Sequence, residues 1–230
     1  MFFFDINYLL MVMLPGLLIS GAASWLVRSA FNKYSKVGSQ KGYSGAEAAQ
    51  VLLDRAGIHD VRIVPTRGFL SDHYNPAKKE LALSEQVYSS RSVAAIGVAC
   101  HEVGHAMQHA KGYAPLGIRS ALVPMAGIGS SIGYMVMAVG VFIHPSIVMI
   151  GALLFAAVLL FQIVTLPIEF DATARAKRLV VEAGIVYPEE RVGIDKVLNA
   201  AALTYVAAVI TTLLTLLYFL MRSGLLGGRD

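Results

Sequence analysis

The chain has 230 residues, 56% apolar and only 15% charged, against roughly 25% charged in an average soluble domain. That balance excludes an ordinary soluble domain and points to a membrane protein. The net charge of +4 follows from where the basic residues lie rather than from a nucleic-acid partner. The single cysteine, Cys100, excludes an internal disulfide framework.

In chain order, residues 8–27 form an uncharged apolar run of the length a bilayer requires. No Lys or Arg precedes it, and Asp5 stands where a signal peptide carries positive charge, so the run reads as a first transmembrane helix. Pro15 and Gly16 predict a kink in it, which membrane helices tolerate. Residues 29–112 read as a small α+β part. Ser44 and Glu47 have the spacing of a capping box; the helix they open carries Ala46, Ala49, Leu52 and Leu53 on its apolar face and ends at Gly57. Val61, Ile63 and Pro65 alternate with polar residues, predicting a short strand. Residues 72–76 read as a turn and Glu80–Ser84 as a second strand. From Ser92 a helix runs to about Ala110.

Residues 121–143 and 147–166 are a second and third span, separated by a turn at His144-Pro145-Ser146. Gly127, Gly129, Ser130, Ser131 and Gly133 predict close helix packing in the former. A second polar part covers 168–199, helical over 169–183, broken at Gly184 and restarting at Pro188. The fourth span is 203–221. The fold class expected is therefore a mainly α integral membrane protein, with about four transmembrane helices and a small α+β part.

Twelve of the 19 Lys and Arg residues lie between Arg28 and Arg119, and five more between Arg175 and Lys196; Arg222 and Arg229 follow the last span. The positive-inside rule then puts both polar parts in the cytoplasm and both termini outside the inner membrane.

His101-Glu102-Val103-Gly104-His105 is an H-E-x-x-H pattern on a predicted helix. Residues four apart share a helical face, so both imidazoles reach one metal. Two histidines and a carboxylate suit zinc and leave a fourth position for water. Glu102 is rotated about 100° from His101, where it flanks that water as general base. The third ligand is expected to be an acid on another helix. Glu169 is favoured and Asp171 is the runner-up. Glu182, Glu189 and Glu190 read as solvated surface. His109 lies about 12 Å along the helix from His101, too far to share the ion, and reads as a surface or supporting residue. The metzincin spacing would put a third His at 111, where the residue is Lys111. Cys100 is turned away from the His101 face and reads as a buried small residue.

With those residues in hand, the chain resembles the YugP-type membrane zinc metallopeptidases, relatives of the HtpX and CAAX prenyl endopeptidases. The resemblance covers nearly the whole chain. It rests on Phe31-Asn32-Lys33-Tyr34-Ser35, Asp72-His73-Tyr74, Ser92-Val93-Ala94-Ala95, the run from His101 to His109, Leu166-Pro167-Ile168-Glu169-Phe170-Asp171-Ala172, and the run from Val197 to Val206. It implies a zincin-like (gluzincin) cytoplasmic domain and proteolysis. In the wider HtpX-like group the glutamate opening a Glu-aromatic-x-Ala-Asp run is the third zinc ligand, which implies Glu169. The closing Asp of that run is Thr173 here, so the residue that would orient a zinc-bound imidazole is altered.

The function expected is an endopeptidase with one zinc per chain, acting on membrane or misfolded proteins near the inner leaflet. The partners expected are such protein substrates and the bilayer, with no nucleic acid. For the oxyanion stabiliser the candidates are His73, Tyr205, Arg175 and Asn199, with His73 favoured for its place beside the predicted strands. A non-catalytic zinc-containing adaptor would use the same ligands but have no use for Glu102. A transporter would place ionisable groups inside its spans, and none of the four spans contains Asp, Glu, Lys or Arg. Reporter fusions test the orientation. A fusion at Gly38 should report the cytoplasm and one at Ser146 the outside; a cytoplasmic signal from Ser146 would refute the topology.

Overall fold

The computed structural model describes residues 6–226; Asp5 and Arg229 lie outside them. The chain forms two compact units. One, here the apolar unit, takes the residues up to Ala23, Gly117–Leu166 and those from Thr204 on. The other, the polar unit, takes Ser24–Leu116 and Pro167–Leu203.

Four helices are long and apolar enough to cross a membrane: α1 (Ile6–Tyr34), α5 (Ala114–Ile143), α6 (Pro145–Glu182) and α7 (Arg191–Arg222). Within the apolar unit, Tyr8, Val12, Met137, Val148, Phe155, Tyr218 and Phe219 form a buried cluster. Other large apolar side chains, such as Leu17, Phe142 and Leu153, are about two-thirds exposed, as lipid-facing residues are. The small residues expected to draw helices together divide. A Cβ on Gly129 would sit 2.3 Å from the Leu154 carbonyl oxygen and one on Gly133 2.8 Å from the Phe155 amide nitrogen, whereas one on Gly127 would meet nothing within 4 Å. Gly127 instead accepts hydrogen bonds from the Ser130 and Ser131 hydroxyls through its carbonyl.

Three sequence expectations change. The segment read as a turn at 72–76 contains a strand, β2 (His73–Asn75), which pairs antiparallel with β3 (Glu80–Ser84); β3 pairs parallel with β1 (Arg62–Thr66), giving the order β1-β3-β2. Three residues are too few to carry a period-two signal, and the ladder to β3 supplies what local propensity lacks. The Asp72 carboxylate secures the strand by accepting from the Ser84 amide (2.7 Å) and hydroxyl (3.1 Å). Second, the helix expected over 169–183 is no separate element. It continues the third span through Pro167 as α6, because a membrane helix tolerates the hydrogen bond that proline omits. Third, α7 begins at Arg191, past the turn at Pro188, and runs unbroken through the expected fourth span. No helix breaker stands where its composition turns apolar.

In the polar unit, α2 (Gly45–Arg55) starts at the capping box. The Ser44 hydroxyl accepts from the Glu47 amide (3.2 Å), and the Glu47 carboxylate accepts from the Ser44 amide (2.7 Å). Gly57 then takes the left-handed conformation, φ +68°, that ends such a helix. A short α3 (Glu85–Tyr88) follows β3. The central α4 (Val93–Ala110) opens on the Ser92 hydroxyl, which accepts from the Ala95 amide. Val93 to Ile96, Ala99, Cys100, Val103 and Ala106 bury α4 in a core with Leu52, Leu53, Leu83, Val180 and Ile194.

Against α6, α4 packs backbone to backbone. A Cβ on Gly104 would lie 2.8 Å from the Ala172 carbonyl oxygen and 3.0 Å from its Cα. Gly104→Ala should therefore push the two helices apart, at a cost of about 1–3 kcal/mol for overpacking. The expected result is a lowered thermal midpoint of the detergent-purified protein; an unchanged midpoint would mean that the contact is slack.

Candidate metal centre

Two helices build the centre. His101 and His105 stand one turn apart on α4, with ring centroids 4.8 Å apart in an edge-on arrangement. Glu169 projects from α6, which the Gly104–Ala172 contact holds against α4. Glu169 Oε2 lies 3.3 Å from His101 Nε2 and 3.5 Å from His105 Nε2. The three ligand atoms lie within 4.8 Å of one another. Donors about 2 Å from a tetrahedral zinc are separated by roughly 3.3 Å, so the nitrogen–oxygen spacings fit that ion. The side chains of His101, His105 and Glu169 are 15%, 12% and 3% exposed, leaving the histidines a small window to solvent.

The other ring nitrogens are held as well. His101 Nδ1 lies 3.2 Å from the Thr173 hydroxyl, one turn beyond Glu169. His105 Nδ1 lies 3.0 Å from Gln108 Oε1. Gln108 is fully buried, and its amide nitrogen donates to the Ile168 carbonyl and to Asp171 Oδ2, both at 2.8 Å. That amide orientation leaves Oε1 to accept from an Nδ1–H on His105, so Nε2 is the nitrogen turned to Glu169, protonated while no metal is bound and free to ligate once that proton leaves. Thr173 holds His101 in the position where the resemblance led one to expect Asp. Gln108 was missed, although a polar residue three positions after His105 on an otherwise apolar helix is a readable signal.

Glu102 is buried at 8% exposure, near enough to His105 to favour its charged form. Among the described residues, no hydrogen bond or ion pair engages its carboxylate. Asp171 is not in the cluster. It sits mid-helix, accepting from Gln108 and, at 2.6 Å, from Arg175. His109 is exposed, with Nδ1 2.9 Å from the Tyr74 hydroxyl. Cys100 is buried in the core, which pushes its thiol up to about 12.

The oxyanion candidates lie on separate elements. His73 is exposed on β2, 2.9 Å from the Ser71 carbonyl oxygen. Arg175 is tied to Asp171, and Asn199 accepts from Lys177. Tyr205 belongs to the apolar unit.

Residues 9–224 match the family model described as "Putative neutral zinc metallopeptidase". The chain belongs to this family. Among curated proteins it is similar to the "Putative membrane protease YugP" of Bacillus subtilis (strain 168), 44% identical over 209 residues, which are 90% of this chain and 92% of the relative. No solved structure matches. Family membership implies zinc, and His101, His105 and Glu169 form a donor set that suits it.

The pair formed by His105 and Glu169 makes zinc uptake depend on pH. Burial alone would lower the His105 pKa, but the Glu169 carboxylate, with Glu102 and Gln108, more than offsets it and raises the value to about 9. In the metal-free protein that pair stabilises the fold below the ordinary imidazole pKa, and the contribution is lost as pH rises through about 9. Zinc binding runs the other way, since a ligand imidazole must be neutral. Apparent zinc affinity should climb about tenfold per pH unit up to about 9. Calorimetry in buffers of different ionisation enthalpy should show at least one proton released per zinc at pH 7. Zinc uptake without proton release would contradict a protonated His105.

Proposed function

We propose that this protein is a membrane-embedded zinc metalloendopeptidase that hydrolyses peptide bonds of membrane or misfolded proteins at the cytoplasmic face, through a gluzincin-like polar unit. The observation that carries this reading is the convergence of His101, His105 and Glu169, with Glu102, a residue only 8% exposed, beside them, whose carboxylate forms no protein hydrogen bond among the described residues. A structural metal site needs only the first three. A general base beside the ion gives the fourth group a use.

His101, His105 and Glu169 would hold the ion. When bound, zinc supplies Lewis-acid polarisation of the scissile carbonyl and acidifies a water. Glu102 would be the general base beside the ion, holding the proton destined for the leaving amine. Thr173 and Gln108 keep His101 and His105 from turning, so the donor set is preorganised. The cytoplasmic placement rests on the distribution of Lys and Arg, and the membrane setting on the four long apolar helices and the membrane-protease relative.

Glu102→Gln separates this reading from a non-catalytic adaptor. The amide matches the side chain in size and cannot take a proton. The variant should fold and keep its zinc while losing about 100-fold or more in casein hydrolysis; His101→Ala should lose zinc and activity together. Elemental analysis and a cleavage assay on detergent-purified protein read both. Equal cleavage by wild type and Glu102→Gln would overturn the general-base role.

A further inference from the structure

The polar unit holds a cavity of about 580 Å³ walled by α2, α4 and α6. Met107, which lines it, is two residues from His105, and Arg178 is nine from Glu169. Those offsets turn them about 200° and 180° around their helices from the metal ligands. The cavity is therefore distinct from the metal centre, on the opposite faces of the same two helices.

Its walls combine two chemistries. Leu52, Ile58, Met107 and Leu179 make an apolar surface, while Arg55, Lys111, Arg175 and Arg178 line it with positive charge, against one lining carboxylate, Glu182. Glu182 lies 3.7 Å from Arg178, with both side chains more than half exposed, where such a pair holds weakly. Arg175 pairs with Asp171. Arg55 donates only to the Glu182 backbone carbonyl at 3.0 Å, and among the described residues no acid pairs with Lys111. With Glu182 set against Arg178 and Asp171 against Arg175, Arg55 and Lys111 have no carboxylate ion-pair partner among the described residues at this concavity. Like charges gathered this way repel, and the arrangement suits a ligand that brings the missing anion.

We propose that this cavity binds a phosphate ester carrying an apolar body, whether presented by a lipid headgroup or by a soluble metabolite. Several guanidinium groups with an ammonium match the many oxygens of a phosphate better than the two of a carboxylate. The volume lies within the range of small-molecule sites and exceeds what phosphate alone fills, so the apolar wall takes the rest of the ligand. The site is joined to the metal centre. Arg175 donates to Asp171, which accepts from Gln108, which holds His105. A phosphate that draws on Arg175 therefore acts two hydrogen bonds away from Gln108's contact with a metal ligand.

Calorimetric titration of the full chain in non-ionic detergent tests this, with hexyl phosphate, inorganic phosphate, hexanol and dihexanoylphosphatidylglycerol as probes. Hexyl phosphate should saturate one site per chain, roughly tenfold or more tighter than inorganic phosphate. The triple variant Arg55→Gln, Lys111→Gln, Arg178→Gln should weaken it by roughly tenfold or more. Glu182→Gln, which removes a like charge, should tighten it, and this second variant decides the matter if the triple variant fails to fold. Competition by dihexanoylphosphatidylglycerol would identify a lipid source, and its exclusion a soluble ester. No saturable binding, binding of hexanol as tight as that of hexyl phosphate, equal binding by wild type and a folded triple variant, or unchanged or weaker binding by Glu182→Gln would each overturn the proposal.

Discussion

Everything at the metal centre depends on one steric fact: α4 and α6 touch backbone to backbone where Gly104 meets Ala172. The H-E-x-x-H helix offers two imidazoles from one face, but two neutral nitrogens do not make a zinc site. The third donor comes from a helix 68 residues away in sequence. A Glu side chain reaches both histidines only if its helix comes that close, and a side chain on residue 104 would keep it away. The variable position before His105 thus belongs to the site's geometry, although it carries no chemistry.

Around that contact the polar groups are ordered in layers. Glu169 faces both Nε2 atoms, while Thr173 and Gln108 hold the two Nδ1 atoms from behind. Gln108 is itself anchored by the Ile168 carbonyl and by Asp171, so α6 supplies a ligand, a support for His101 and the fixed points that orient the support for His105. Replacing the expected Asp by Thr173 keeps a hydrogen bond to His101 without adding a second negative charge beside Glu169. A hydroxyl makes His101 a less electron-rich donor than a carboxylate would.

The long helices serve two environments. Along α6, apolar residues give way beyond Leu166 to Glu169, Asp171, Arg175, Lys177 and Arg178, yet the helix does not end. The residue that completes the metal cluster is thus carried on a helix rather than on a loop. A loop in that place would leave the third ligand free to wander, and a preorganised site tolerates little of that.

Much of this was legible in the chain. The capping box at Ser44 and Glu47, the start of α4 at Ser92, the strands at 62–66 and 80–84 and the four apolar runs are written in local signals: side chains that bond backbone within a turn, and periodicities of two and 3.6 residues. The H-E-x-x-H spacing is equally local, because a helix alone puts residues four apart on one face. What only the tertiary structure decided is non-local. The strand at His73–Asn75 exists through its pairing with Glu80–Ser84, and α6 and α7 run on because nothing interrupts them where composition shifts. Glu169 rather than Asp171 meets the histidines because the Gly104 contact fixes the rotation of α6. Gln108, an unremarked polar residue in the sequence, becomes the clamp on His105 once α6 brings the Ile168 carbonyl and Asp171 to its amide. Sequence spacing sets which side chains share a face of one helix, but which faces of two helices meet is set by the volume of the residues between them.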